Sequence, residues 1–310
     1  MERVLVTGGA GFIGSHLVER LVKGGHRVRV LDNLSSGKRS NLAAVAGEID
    51  FQEGDIRDPE GVRAALRGMD VVFHQAAFVS VPGSVQDPQT CFEVNVSATR
   101  QLLEAAREGG VRRVVLASSS AVYGDNHRLP LQETADLQPL SPYAASKQVN
   151  EVYGALHAEV RGLDVVALRY FNVYGPRQNA DSDYAAVIPI FIRQLLSGKS
   201  PVIYGDGEQT RDFVFVEDVA RANLLAAFQE DLSHRVFNIC TGSEVSLHDL
   251  LDVLSAILPG TIHPEYQPAR PGDIYRSVGD PSRAAVGLKF EPEACLREGL
   301  ERTLSWMRKP

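Results

Sequence analysis

Tyr143 and Lys147 stand four positions apart in Tyr143-Ala144-Ala145-Ser146-Lys147. On a helix that spacing puts both side chains on one face. A phenol beside an ammonium is a usable base near neutral pH, because the cation favours the phenolate. Ser141-Pro142, just ahead, reads as an N-cap followed by a first-turn proline, so a helix is expected to begin there. The spacing alone is a weak signal. It gains weight from Ser118-Ser119-Ser120, which ends an apolar run expected to be a strand. Open α/β sheets place their ligands at that end of a strand. A serine hydroxyl there can relay a proton or hold a substrate oxygen.

A second set of residues suits a dinucleotide. Thr7-Gly8-Gly9-Ala10-Gly11-Phe12-Ile13-Gly14 follows the first apolar run. Gly8 permits a tight turn, Gly11 lets backbone approach a pyrophosphate, and Gly14 lets helix pack on strand. The amides of the helix start, Phe12 and Ile13 included, then face phosphate. Asp32 follows Gly14 by 18 residues. A carboxylate there accepts from both adenosine ribose hydroxyls and repels a 2′-phosphate, which favours NAD over NADP. Lys38 and Arg39 soften that preference. Asn33, Gly37, Asp55 and Ile56 join the expected adenosine side. Gln75, Ala76 and Ala77 end the fourth strand, where small residues let backbone approach the cofactor. His74 reads as a packed strand-end residue. Resemblance to a known family, carried by these and further residues, implies NAD contacts at Asn95, Ser118 and Tyr170 as well, with Tyr143 and Lys147. Together the two sets describe a nicotinamide-dependent redox site.

The elements that must position these residues are legible as short, β-branched apolar runs at Val4–Val6, Val28–Leu31, Val71–Phe73, Val114–Ala117 and Val165–Leu168. Helix-length segments separate them, such as Gly14–Lys23 and Thr99–Glu108. That alternation predicts an α/β fold with a doubly wound parallel sheet and a smaller C-terminal lobe. The expected division is 1–172 for the dinucleotide domain and 173–310 for the second lobe, without a single clean cut. The chain has 310 residues and a net charge of −7, which argues against a nucleic-acid surface. No apolar stretch is long enough to cross a membrane, and Met1-Glu2-Arg3 runs straight into the first strand. A cytoplasmic enzyme is expected. Cys91, Cys240 and Cys295 lack metal-type spacing, so no metal site is expected and the thiols are read as reduced.

With these residues in view, the chain resembles the extended short-chain dehydrogenases/reductases, and among them the UDP-hexose 4-epimerases. The likeness also rests on Arg169-Tyr170-Phe171-Asn172, Tyr204-Gly205-Asp206-Gly207, Thr210-Arg211-Asp212-Phe213 and Arg270-Pro271-Gly272-Asp273. It implies that Tyr143 takes the C4 hydroxyl proton while hydride passes to NAD, and that the 4-keto sugar then turns and is reduced on its other face. NAD would stay bound. Lys147 would hold the nicotinamide ribose. Ser119 matches the catalytic serine when the run is aligned on Tyr123, whereas alignment on its start selects Ser120. Asn172, Arg211, Arg270 and Asp273 would hold the UDP diphosphate, with Tyr204 near the uridine.

Substrate choice is expected to turn on three places. Ser80 lies in Ala77-Phe78-Val79-Ser80-Val81-Pro82, and Ala186 and Val187 lie in Asp183-Tyr184-Ala185-Ala186-Val187-Ile188-Pro189. Both segments are similar to those of epimerases for N-acetylated hexosamines. Ser277 falls where some relatives carry a bulky Tyr, and a small residue leaves room for a 2-acetamido group. UDP-GlcNAc/UDP-GalNAc is therefore the expected pair, with UDP-Glc/UDP-Gal also accepted. A UDP-glucuronate 4-epimerase or decarboxylase is the alternative, and a non-catalytic dinucleotide-binding protein lies further off. A 4,6-dehydratase is disfavoured because Ser119-Ser120-Ala121 lacks the acidic residues it needs. The resemblance also implies a homodimer paired through 91–107 and 144–160.

Overall fold

The computed structural model describes residues 1–180, 186–259, 262–270 and 272–308. Six strands come from the first 170 residues: β1 (Arg3–Thr7), β2 (Arg27–Asp32), β3 (Ile49–Glu53), β4 (Val71–His74), β5 (Arg113–Ser119) and β6 (Asp164–Tyr170). A seventh, Val236–Ile239, joins them at one edge. The order across the sheet is Val236–Ile239, β6, β5, β4, β1, β2, β3, and every pairing is parallel. Both faces are buried, which is why the strands read as unbroken apolar runs. Val4 and Val6 enter one core and Leu5 the other, as the two-residue period of a strand requires.

The strand order reverses between β1 and β4, so a crevice opens beyond their carboxyl ends. Thr7, Asp32, His74 and Ser119 all sit at those ends. The helix Phe12–Lys23 packs Leu17, Val18 and Leu21 into the core that also receives Val219, Ala220 and Ala222 of the helix Val216–Phe228. The chain crosses into the second lobe, then returns to lay Val236–Ile239 against β6 and to cover one face with residues from 214 to 290. An edge strand without its own sheet buries its backbone groups by joining the existing one.

The second lobe has its own core, with Ile188, Phe191, Phe213, Leu250, Leu254, Leu300 and Leu304 among its members. Two small sheets matter for the site. Asn172–Tyr174 pairs with Phe213–Phe215. Thr210–Arg211 lies between Val245–Ser246 and Arg276–Ser277. Among the described residues no helix is long and apolar enough to cross a membrane. Cys91 and Cys240 are buried free thiols and Cys295 is an exposed one.

Candidate active site

The glycine loop is shaped for close approach. Gly8 has φ +69°, and a Cβ there would sit 2.6 Å from the Ala76 nitrogen. A Cβ on Gly14 would sit 2.1 Å from the Gly8 carbonyl oxygen. Gly11 is the N-cap of the helix Phe12–Lys23 and brings no capping side chain, so the first-turn amides remain for an anion. The Phe12 and Ile13 side chains pack into cores; only their backbone faces the loop. Asp32 is buried, accepting from Ala10 N–H at 2.9 Å and Leu34 N–H at 2.8 Å. Its carboxylate oxygens keep lone pairs for further donors. Asn33 donates to Asp55 at 2.9 Å, and Arg57 beside Asp55 holds that carboxyl well below the usual range. Gly37 lies against Ala10. Ile56 is buried in the core, leaving only its backbone for the adenine side. A glycine cradle, free helix amides and a carboxylate fixed at the end of β2 fit the pyrophosphate and ribose of NAD.

The floor of the crevice is a polar network. Gln75 Nε2 and Asn223 Nδ2 donate to Tyr170 Oη at 3.1 Å and 2.8 Å, and burial pushes the Tyr170 phenol up to about 12. Asn223 was not anticipated. Its one signal is a lone amide on the otherwise apolar face of the helix Val216–Phe228. His74 is packed as expected, within 2.8 Å of Thr7 Oγ1 and 2.9 Å of Thr99 Oγ1. Burial holds it down at about 3.

Asn95 accepts from Phe78 N–H at 2.7 Å and donates to Phe78 O and Ser146 Oγ at 3.0 and 2.9 Å. Buried, it clasps the β4 loop to the helix Pro142–Val160. Ser118 donates to Glu151 at 2.5 Å. Strand alternation turns it away from the crevice that Ser119 enters.

The helix Pro142–Val160 starts as expected. Ser141 accepts from Ala144 N–H at 3.1 Å and Pro142 occupies the first turn. Tyr143 N–H is held by the buried Ser84 at 3.1 Å. The Ser119 hydroxyl accepts from Ala121 N–H at 3.2 Å and counters the burial that disfavours the Tyr143 phenolate. Ser120 begins the short 3₁₀ turn that Ser119 caps.

Lys147 Nζ donates to Ala117 O at 2.7 Å and lies 5.7 Å from the Tyr143 ring centroid. Burial pushes the Tyr143 phenol up, and Ser119 pulls it back. Burial also lowers Lys147 to about 8. A low-dielectric site penalises phenolate and ammonium alike.

The nucleotide side assembles around one strand. Asn172 leaves β6 and donates its N–H to Asp212 O at 2.9 Å. The strand pairing sets Ser277 abreast of Arg211, and Ser277 is only 8 % exposed. Arg211 donates to Thr210 O at 2.8 Å. Burial pulls its pKa down and Asp273 opposes that. Arg270 lies over the Tyr204 ring, 3.8 Å from its centroid, and its carbonyl accepts from Asp273 N–H at 3.3 Å. Asn172, Tyr204, Arg211, Arg270, Asp273 and Ser277 thus share one neighbourhood. Ser80 caps the helix Val81–Gln86 through Gly83 N–H at 2.9 Å. Ala186 caps the helix Val187–Leu196, and Val187 packs into the second core. Asp183, Tyr184, Ala185 and Pro271 lie outside the described residues.

Residues 4–240 match the NAD dependent epimerase/dehydratase family.

The chain belongs to that family.

The enzyme class and the NAD cofactor expected from sequence stand with it. It is 42% identical over 311 residues to a UDP-glucose 4-epimerase of Mycolicibacterium smegmatis, covering 99% of this chain and 98% of that one. Among solved structures it is similar to a UDP-N-acetylglucosamine 4-epimerase from Methanobrevibacter ruminantium M1 in complex with UDP-N-acetylmuramic acid. The TM-score is 0.94 at 42% identity, over 99% of this chain and 98% of the other. A Thermus thermophilus UDP-glucose 4-epimerase complex with NAD matches with TM-score 0.88 and 42% identity, over 99% of both chains.

Proposed function

We propose that this family member is an NAD-dependent UDP-sugar 4-epimerase that interconverts UDP-GlcNAc and UDP-GalNAc, with UDP-glucose and UDP-galactose as further substrates. The observation that carries the reading is the bond from Lys147 Nζ to Ala117 O at 2.7 Å, which ties the helix bearing Tyr143 to the end of β5 that bears Ser119, at the cofactor crevice. NAD, when bound, supplies a hydride acceptor and a positive charge in that crevice.

Tyr143 takes the proton of the C4 hydroxyl, directly or through Ser119, and returns it after the sugar has turned. Ser119 holds the same oxygen and steadies the phenolate. Lys147 adds a buried cation one turn along the helix. Arg211, with Arg270 and Asn172, grips the diphosphate. An anchor at the diphosphate leaves the hexose free to rotate. Ser277 beside Arg211 keeps the sugar end roomy enough for an acetamido group.

The exposed side chains of Val152, Leu156 and Val160 line one stripe of the helix Pro142–Val160, with exposed Phe92 on a neighbouring helix. Such a stripe supports the proposed homodimer. A Leu156→Arg variant that still sediments as a dimer would count against it.

The test is to incubate purified protein with UDP-GlcNAc, and separately with UDP-glucose and UDP-glucuronate, adding no cofactor, and to resolve C4 epimers chromatographically. UDP-GalNAc should form in wild type and not in Tyr143→Phe. Turnover of UDP-glucose without UDP-GlcNAc would sink the substrate assignment. Turnover of UDP-glucuronate alone would replace it with the uronate reading.

A further inference from the structure

A buried ion pair ties the end of β5 that carries Ser119 to the helix that carries Tyr143 and takes no part in the proposed proton transfer. Glu151 sits on the helix Pro142–Val160, one turn beyond Lys147, and Arg169 sits on β6; their side chains are 8 % and 4 % exposed. Arg169 Nε and Nη2 donate to Glu151 Oε1 and Oε2 at 2.9 and 2.6 Å. Ser118 Oγ donates to Glu151 Oε1 at 2.5 Å. Arg169 Nη1 donates to Tyr123 Oη at 2.9 Å and to Glu133 O at 3.2 Å. The Tyr123 hydroxyl donates to Asn238 Oδ1 at 2.6 Å on the edge strand Val236–Ile239.

Ser118 and Tyr123 flank Ser119. The turn that carries Ser119 is therefore tied on both sides to one charge pair. The same pair is tied, through Glu151, to the helix that carries Tyr143 and Lys147. A buried ion pair is weak evidence for stability, because well-packed apolar side chains would hold the same elements at no desolvation cost. What a bidentate guanidinium–carboxylate pair adds is direction. It leaves the strand and helix little freedom to slide along one another.

We propose that Glu151 and Arg169 are positioning residues, a clamp that sets the Ser119 hydroxyl against the Tyr143 phenol. The clamp acts through Ser118 and Tyr123 and touches neither substrate nor cofactor. Its kinetic consequence rests on the epimerase reading, while its effect on Tyr143 does not. The other ionisable groups around the Tyr143–Lys147 pair are Cys91 from the helix Pro88–Phe92, Tyr170 on β6 and His74 on β4. None of them bonds to Ser118 or Glu151, so cutting the clamp leaves their charges in place.

The experiment follows tyrosinate absorbance against pH in wild type, Ser118→Ala and Glu151→Gln, each with and without Tyr143→Phe. The difference within each pair reports Tyr143 alone. If the clamp sets Ser119 against Tyr143, both variants ionise Tyr143 at higher pH than wild type. kcat at neutral pH then falls about tenfold for each pH unit of that displacement, with KM and NAD content unchanged. If either folded variant titrates Tyr143 at the wild-type pH, the clamp proposal is overturned. Ser118→Ala removes a single hydroxyl and keeps the ion pair, so it decides the matter even if Glu151→Gln does not fold. A wild type that epimerises no UDP-sugar would overturn the functional reading and still leave the titration to judge the clamp.

Discussion

Arg211→Met separates a ligand-binding arginine from a structural one. The guanidinium is half-buried, makes its hydrogen bond to Thr210 O at 2.8 Å, and is disfavoured by burial. Loss of that neutral-acceptor bond costs the fold about 1 kcal/mol. Relief of a desolvated cation offsets much of it, so the melting temperature should move by less than about 4 °C. Binding should respond far more. A charge-assisted hydrogen bond to phosphate is worth about 1.5–3 kcal/mol, so the Kd for UDP should rise about 10- to 160-fold. The assay is calorimetric titration of UDP, with no sugar attached, at fixed ionic strength into wild type and variant, alongside their melts. UDP serves because it probes the anchor without the chemistry. An unchanged UDP affinity with a large loss of stability would refute the reasoning, since it would make Arg211 a structural residue.

Three further outcomes follow from the same geometry. Ser277→Tyr should lower kcat/KM for UDP-GlcNAc much more than for UDP-glucose, because the added ring fills the space beside Arg211; equal losses would remove Ser277 as a gate. Gly14→Ala would place a Cβ 2.1 Å from Gly8 O, whereas Gly11→Ala leaves 3.1 Å to the same oxygen. Gly14→Ala should therefore lose stability and bound NAD together, and Gly11→Ala chiefly NAD, as read by NAD released on denaturation and by melts of cofactor-stripped protein. Burial lowers Lys147 from 10.5 to about 8. Between those values the unfolded chain holds a proton that the folded protein sheds, so the contribution to stability is present above 10.5 and lost as pH falls through 8. Relative to Lys147→Met, wild type should gain stability as pH rises across that window, and denaturant melts showing no such trend would mean that Lys147 is not desolvated.

Much of the cofactor side was legible because it is written in neighbouring residues. The loop from Gly8 to Gly14 specifies its own turn and helix start, and Ser141-Pro142 specifies the start of the helix that carries Tyr143 and Lys147. Each depends on contacts within a few positions. The partner of a buried polar side chain carries no such local mark. The side-chain bonds of Asn95 and Ser118 go to Phe78, Ser146 and Glu151, none of them a near neighbour in sequence. Asn223 reaches Tyr170 across 53 residues of sequence and left only a faint trace in its helix.

The sequence by itself determined the strand runs, the glycine cradle, the acidic residue after β2 and the helical register of Tyr143 and Lys147. All follow from side-chain period, steric allowance and capping. Tertiary structure alone decided that Val236–Ile239 returns to complete the sheet, that Lys147 donates to Ala117 O, and that Ser277 stands beside Arg211. Those outcomes depend on which distant elements pack together and on how burial weighs each charge. Neither quantity exists until the chain has folded.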